Sequence, residues 1–184
     1  YNLAQDSNSY MLDRAENIIK KLIELEEDNR DYRIYLGDLY FEQDKLIKAT
    51  KAYSKAISLA PEDTWGYIKL ANFYKQTSKY SKAEELYRYI IYLDDSLKNR
   101  RRLAELYFDL QKFKLALEEY KVINQRSTGI NEVKLKLIEC YLATGAKEKA
   151  TQVADKFLSK QTSGKVYLEI AQLMEKYDLR LAVD

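Results

Sequence analysis

The sequence contains no histidine. That removes Ser-His-Asp and Cys-His catalysis, His-based zinc sites and imidazole pH switching. It contains one cysteine, Cys140, which can form neither an internal disulfide nor a cysteine-rich metal site. Neither a metal nor an organic cofactor is therefore expected. There are five glycines and one proline, where an average chain of this length carries about 22 of the two together. This excludes a turn-rich β-sandwich, a collagen-like chain and a flexible linker. Gly37, Gly66, Gly129, Gly145 and Gly164 are too dispersed for a phosphate-cradling loop. No apolar run approaches the ~18 residues of a membrane span, so no membrane insertion is expected in this segment. An excess of one charge is missing too. Lys and Arg number 31 against 29 Asp and Glu, a net charge of +2, which argues against nucleic acid or an anionic membrane as the main partner. The first residue is Tyr1, and no basic-then-apolar leader follows. The chain reads as a segment of a longer protein, with contacts to other domains of that protein open to it. One unpaired cysteine suits the cytoplasm; a periplasmic place requires a leader upstream.

What is present is a repeat. A large aliphatic, a small residue, two others and an aromatic recur as Leu36-Gly37-x-x-Tyr40, Leu70-Ala71-x-x-Tyr74 and Leu103-Ala104-x-x-Tyr107. Leu137-Ile138-x-x-Tyr141 keeps the shape with a larger second residue, and Ile170-Ala171-x-x-Met174 is a fifth, weaker copy. The second residues are 34, 33, 34 and 33 apart. A second pattern, Ala49-x3-Tyr53-x2-Ala56, recurs as Ala83-x3-Tyr87-x2-Ile90 and Ala116-x3-Tyr120-x2-Ile123, with looser versions at Ala150 and Ala15. The offset between the two patterns is 12 in four copies, which chance does not maintain. Spacings of three and four put residues on one face of a helix. Each unit is therefore two helices, and an offset of 12 leaves room only for a tight turn, so they are antiparallel neighbours. The small residue of the first pattern lets the second helix approach, with the alanine of the second pattern as its counterpart, and the tyrosines fill the wider gaps. A tyrosine suits so thin a stack because its ring can be buried while its hydroxyl reaches water or a partner. Asp63 or Thr64 is expected to cap the helix after Pro61, Ser81 the helix carrying Ala83, and Asn131 the helix after the Ser127-Thr128-Gly129 break. Thr144-Gly145 makes the following turn.

This arrangement resembles the tetratricopeptide repeat (TPR) family, whose 34-residue pattern sets Leu-Gly, Tyr, Ala, an aromatic, Ala and Pro at fixed offsets. Residues 30–63 match it with Leu36, Gly37, Tyr40, Ala49, Tyr53, Ala56 and Pro61. The resemblance extends over about residues 10–177. The expected fold is all-α, a right-handed superhelical solenoid of nine or ten helices. Its repeats are 30–63, 64–96, 97–130 and a divergent 131–163, between a partial repeat at 1–29 and the first helix of a truncated one at 164–184. Ala15 implies a second helix at about 10–27 whose first helix is mostly missing. More repeats are expected to follow Ala171 in the parent protein, because Ile170, Leu173 and Met174 leave the last helix without a polar cap.

The resemblance implies that the first helices line a concave groove for a peptide, extended segment or helix. Spacing then assigns Tyr35 and Asp38 to that groove, with Ile34 and Phe41 beside them. From the next repeat come Trp65, Lys69 and Asn72, with Ile68. Lys98, Arg101, Arg102, Glu105 and Phe108 follow, then Leu135 and Lys136 with Glu132, Glu139 and Leu142. The expected groove mixes apolar anchors with a basic middle built from Lys69, Lys98, Arg101, Arg102 and Lys136. Some TPR proteins hold a C-terminal carboxylate with a Lys, Asn, Asn, Lys, Arg clamp. Here only Lys98 and Arg102 match its last two positions, the others being Ile34, Asp38 and Lys69, so the clamp is broken. The paired acids Glu26-Glu27-Asp28, Glu84-Glu85 and Glu118-Glu119 lie off the groove, and Cys140 beside Tyr141 reads as a small buried hydrophobe. The expected function is a non-enzymatic scaffold or adaptor that binds a protein or peptide ligand, an acidic-amphipathic segment. The alternative is the recruiting arm of a larger enzyme whose catalytic domain lies outside this segment.

Overall fold

Helix-period apolar spacing and a near-absence of glycine and proline produce ten helices and, among the described residues, no strand. The computed structural model describes residues 2–159 and 163–181, with side chains placed for 10–159 and 163–177. Five first-type helices carry the first pattern, fully in α2 (Arg30–Glu42), α4 (Thr64–Gln76) and α6 (Leu97–Asp109) and in looser form in α8 (Asn131–Ala143) and α10 (Gly164–Leu181). Four second-type helices follow them: α3 (Leu46–Leu59), α5 (Tyr80–Leu93), α7 (Phe113–Arg126) and α9 (Lys147–Leu158). Ahead of all lies α1 (Asn2–Leu25). It is one continuous 24-residue helix where the spacing indicated a helix at about 10–27. Leu3 and Asp6 fall outside the described side chains.

The tight turns inside the hairpins use one backbone device. Asp44, Ser78, Gln111 and Gly145, at equivalent positions, all have positive φ, 56°, 58°, 56° and 76°. A left-handed residue just past a helix end turns the chain back and satisfies the last carbonyls. Lys45 N, for example, donates to Tyr40 O at 2.8 Å. Only Gly145 adopts this conformation without strain. The turns between hairpins are capped by side chains: Asn29 Oδ1 accepts from Asp31 N at 3.0 Å, and Asp63 Oδ1 from Trp65 N at 2.7 Å. Two cap expectations are corrected. Ser81 lies inside α5, whose cap position is Lys79 with no side-chain bond. Asn131 is the first residue of α8, after Ile130 at the cap. In each case helical pairing of the backbone starts one or two residues earlier than the polar side chain suggested.

The chain divides into two units, residues 1–94 and 95–184. In the first, α1 packs on α2, and the α2–α3 and α4–α5 hairpins close a core of Ile23, Leu36, Tyr40, Tyr53, Leu70 and Phe73. In the second, α8, α9 and α10 enclose Ile138, Ala150, Ala154, Phe157, Ile170 and Tyr177. Within each hairpin the facing side chains are matched in size. A Cβ at Gly37 would lie 2.6 Å from Cε1 of Tyr53, so the smallest residue faces the largest. Ala71 and Ala104 accompany Tyr87 and Tyr120, all buried. Where the first helix carries the larger Ile138, the second carries Ala154, in the same core. Close packing requires such compensation, because an added methylene in a filled core forces neighbours off their rotamers.

Candidate functional site

The expected ligand-facing residues lie on the outward faces of the first-type helices, and each unit presents its own set. On the first unit, Tyr35 and Trp65 stand in solvent, 56% and 43% exposed. Lys69 Nζ lies 2.6 Å from Asp38 Oδ2 and 5.3 Å from the centre of the Trp65 ring. Asn72 is exposed on the next turn of α4. Asp38, Lys69 and Trp65 thus form one patch, with Tyr35 exposed one turn before Asp38 on α2. Ile34 and Ile68 are buried in the body of the unit and do not line this face, a correction to the spacing-based assignment. They fall just past the edge of the stripe, and the neighbouring helices cover them. Phe41 is also turned inward, edge-on to Phe73 at 5.4 Å.

Asp38 and Asn72 have a structural task that spacing did not reveal. The Tyr53 hydroxyl donates to Asp38 Oδ1 at 2.7 Å, and the Tyr87 hydroxyl to Asn72 Oδ1 at 2.6 Å. Burial, reinforced by the Asp38 carboxylate, pushes the Tyr53 phenol well above its ordinary range. Each acceptor follows directly on the small residue of its first-type helix. The aromatic of the second helix therefore crosses the small residue and delivers its hydroxyl to the next side chain. A matching polar residue after Gly37 and Ala71 was the signal available in the sequence. A second residue that spacing missed is Glu16. It is buried, accepts from the Tyr40 hydroxyl at 3.0 Å and pairs with Lys20 at 2.7 Å. The Lys20 hydrogen bond, ahead of Tyr40 and against the opposing effect of burial, holds its carboxyl below the usual range.

On the second unit the basic residues are mostly committed to internal partners. Arg101 pairs with Glu105 at 2.8 Å and with Glu132, and both raise its pKa, Glu105 more. Lys136 lies 3.3 Å from Glu139 and 3.6 Å above the Phe108 ring. Lys176 reaches Glu139 from α10 at 3.2 Å. Arg100, outside this face, is held by Asp95 and Glu119. Asp95 is kept far below the ordinary carboxylate range by Arg100 and then Arg126. Of the expected basic middle, Lys69, Arg101 and Lys136 are thus in ion pairs, an acid one turn away or on a neighbouring helix meeting each of these three. Lys98 and Arg102 make no ion pair among the described residues; Lys98 is exposed, and Arg102 Nη1 donates to the Lys98 carbonyl at 3.3 Å. Phe108 and Leu135 are half-buried, Phe108 edge-on to Phe113 at 5.4 Å. Leu142 is buried in the core, another correction to the spacing-based set. Between α8 and α10 a cleft of about 380 Å³ is lined by Glu132, Leu135, Lys136, Glu139, Glu169 and Gln172, among others.

These faces offer rings, apolar edges and charges for non-covalent contact. Their carboxylates Asp38, Glu105, Glu132 and Glu139 are each engaged by a cation. Among the described residues, no group of three or more His, Cys, Asp or Glu side chains is placed to hold a metal ion, and no helix is long and apolar enough to cross a membrane. Cys140 is fully buried, which pushes its thiol up to about 12.

No family model and no curated protein matches the chain. Solved structures do. A crystal structure of MamA superposes with a TM-score of 0.65 at 18% identity, covering 85% of this chain and 86% of MamA. YrrB, a TPR protein with an unusual peptide-binding site, gives 0.61 at 17% identity, covering 86% and 90%. A chain of the Naa15/Naa10 complex bound to HypK-THB gives 0.67 at 13% identity, with 95% of this chain on 28% of that one. The fold is that of the TPR proteins, an α solenoid of helix-turn-helix repeats.

Proposed function

We propose that the chain is a non-enzymatic scaffold that binds a peptide or helical segment of another protein on the outward faces of its first-type helices. The repeats of that scaffold are assigned to residues 30–63, 64–96, 97–130 and 131–163. The observation that carries this reading is the patch on the first unit. Tyr35 and Trp65 remain in solvent, each one helical turn before a member of the Asp38–Lys69 pair, while the core tyrosines are buried. Exposed aromatics give a partner large rigid contact area at little cost in side-chain entropy, and Trp and Tyr dominate binding hot spots. The likeness to YrrB, whose peptide-binding site is part of its description, supports the same reading.

On the second unit, Lys98 and Arg102 are the members of the expected basic set that form no ion pair among the described residues, on a helix that also carries half-buried Phe108. This supports a segment that alternates acidic and apolar side chains, since a guanidinium grips a carboxylate bidentately. Trp65 is the sole tryptophan, so its emission reports binding directly. An acidic-amphipathic peptide is expected to shift it, and Tyr35→Ala by that readout, or Trp65→Ala by anisotropy of a labelled peptide, is expected to weaken binding about tenfold, roughly 1.4 kcal/mol. For the second unit, fluorescence anisotropy of a labelled acidic peptide is the readout, and Lys98→Glu with Arg102→Glu is expected to weaken that binding about tenfold and to reduce its salt dependence. Equal affinity for a peptide with the acids changed to lysine would overturn the acidic preference. Binding unaffected by all four substitutions would overturn the site.

A further inference from the structure

Three tyrosines of the first unit form a ladder on the surface of the α4–α5 hairpin that core packing does not require. The Tyr67 ring of α4 lies 5.0 Å, centre to centre, from that of Tyr89 on α5, and Tyr89 is stacked on Tyr92 at 5.9 Å. Tyr89 is 41% exposed and Tyr92 81%. The other repeats of the same chain show what these positions ordinarily hold. Four residues before the second residue of the first pattern, where α4 has Tyr67, stand Arg33, Arg100 and Lys134. Nine residues after the alanine of the second pattern, where α5 has Tyr92, stand Ser58, Gln125 and Ser159, all exposed. The same hairpin thus forms three times with cations and polar side chains at these places. In α4–α5 the rings add contact area that faces solvent, which the fold itself does not use.

The surroundings of the ladder are acidic. Glu85, exposed, lies four residues before Tyr89 and seven before Tyr92, on the same face of α5. Glu62 is near enough to Tyr67 for its charge to help push that phenol up, after burial and the neighbouring Tyr89 hydroxyl. Neither Glu62 nor Glu85 makes an ion pair among the described residues. Beyond Tyr92, an open cleft of about 620 Å³ is lined by Pro61, Glu62, Asp63, Thr64, Leu93 and Asp94, among others, and by no basic side chain among the described residues. Arg88, the cation adjacent to Tyr89 in sequence, pairs with Glu84 at 3.3 Å.

We propose that the Tyr67–Tyr89–Tyr92 ladder docks a basic segment of a partner protein, with arginine side chains stacked on the exposed rings and paired with Glu62 and Glu85. The occupant follows from charge complementarity. The face of a tyrosine ring is negative and attracts a cation. A guanidinium is planar, so it stacks on the ring and still presents its edge to a carboxylate. The same two carboxylates repel a phosphate backbone. This does not rest on the acidic-peptide reading, which uses other side chains and a ligand of opposite charge.

The test is fluorescence anisotropy of a labelled peptide of alternating Arg and Gly, titrated with the 184-residue chain. Saturable binding is expected, several-fold weaker for the Lys–Gly counterpart and absent for the Glu–Gly one. Tyr89→Ala with Tyr92→Ser should weaken it at least about tenfold, with helicity retained by circular dichroism, since both side chains are exposed. Glu62→Gln with Glu85→Gln should weaken it about fivefold and flatten its salt dependence. Trp65→Ala should leave it unchanged, which separates this surface from the patch around Lys69. If the tyrosine pair loses helicity, Tyr92→Ser alone replaces it, with a loss of about threefold expected. No binding by the wild-type chain, equal binding of the Glu–Gly peptide, or binding that survives the tyrosine substitutions would each overturn the proposal. So would self-association of the wild-type chain in sedimentation velocity that the tyrosine substitutions abolish, because the ladder then belongs to a second copy.

Discussion

Removing one hydroxyl, in Tyr53→Phe, tests whether the contact between second-type aromatics and first-type acceptors stabilises the hairpins. The Tyr53 hydroxyl donates to Asp38 Oδ1 at 2.7 Å, and Lys69 sits 2.6 Å from the other oxygen. A hydrogen bond to a charged group contributes about 1.5–3 kcal/mol. The Asp38 side chain is 35% exposed, so water recovers part of that when the hydroxyl is gone, and the expected cost is about 1–1.5 kcal/mol. Asp38→Ala should cost more. It strands a hydroxyl on a tyrosine that is 2% exposed, for about 1–3 kcal/mol. It also removes a half-exposed ion pair, which adds up to about 1 kcal/mol. The double variant should cost less than the sum of the two, with a coupling of about 1 kcal/mol. Urea unfolding followed by Trp65 emission isolates the response of the first unit, because that unit holds the only tryptophan. Tyr120→Phe, followed by circular dichroism, is the control. Tyr120 has the same register but no hydrogen bond to a carboxylate among the described residues, and its loss should stay within about 0.5 kcal/mol. Tyr53→Phe costing as much as Asp38→Ala, or a coupling below about 0.3 kcal/mol, would refute the reasoning.

Gln111→Gly should raise stability by a few tenths to about 1 kcal/mol in urea unfolding, since Gln111 has φ 56° and only glycine adopts that region without penalty. Gly37→Ala should lower stability by about 0.5–2 kcal/mol in the same assay. The new Cβ meets the buried Tyr53 ring at 2.6 Å, and overpacking of about 1–3 kcal/mol exceeds the helix-propensity gain. Cys140, buried with its thiol pushed up to about 12, should resist a thiol reagent at pH 8 in the native protein and react fully after unfolding. Glu16 keeps its proton less readily in the folded state than its ordinary 4.5. Its contribution is therefore complete above about pH 4.5 and is withdrawn as pH falls toward the lower folded value. Thermal unfolding between pH 3 and 7 should show Glu16→Gln less stable at neutral pH and less sensitive to acid.

The helix pairs were legible in the residues alone. A spacing of three and four names a helix face, and a constant offset of 12 leaves no option but a tight turn, so chain geometry follows from local pattern. Ala49, Tyr53 and Cys140 could be placed in the core for the same reason. Faces at the edge of a stripe could not be resolved. Ile34, Ile68 and Leu142 are buried because neighbouring helices cover them, and one-dimensional spacing does not register where a neighbour ends. Turn chemistry was equally hidden at Asp44, Ser78 and Gln111, which carry no glycine, because packing of the two helices imposes a left-handed residue that local preference would not choose. Charge showed the largest gap. The run Arg100-Arg101-Arg102 reads as an unbalanced cluster in sequence, yet Glu105, Glu119 and Glu132 neutralise much of it. Composition and periodicity determined the helices and their pairing, since both depend on neighbours within a turn or two. Which cations are paired with an acid was decided only by the tertiary structure, because an ion pair depends on distances between atoms that chain spacing alone leaves unconstrained.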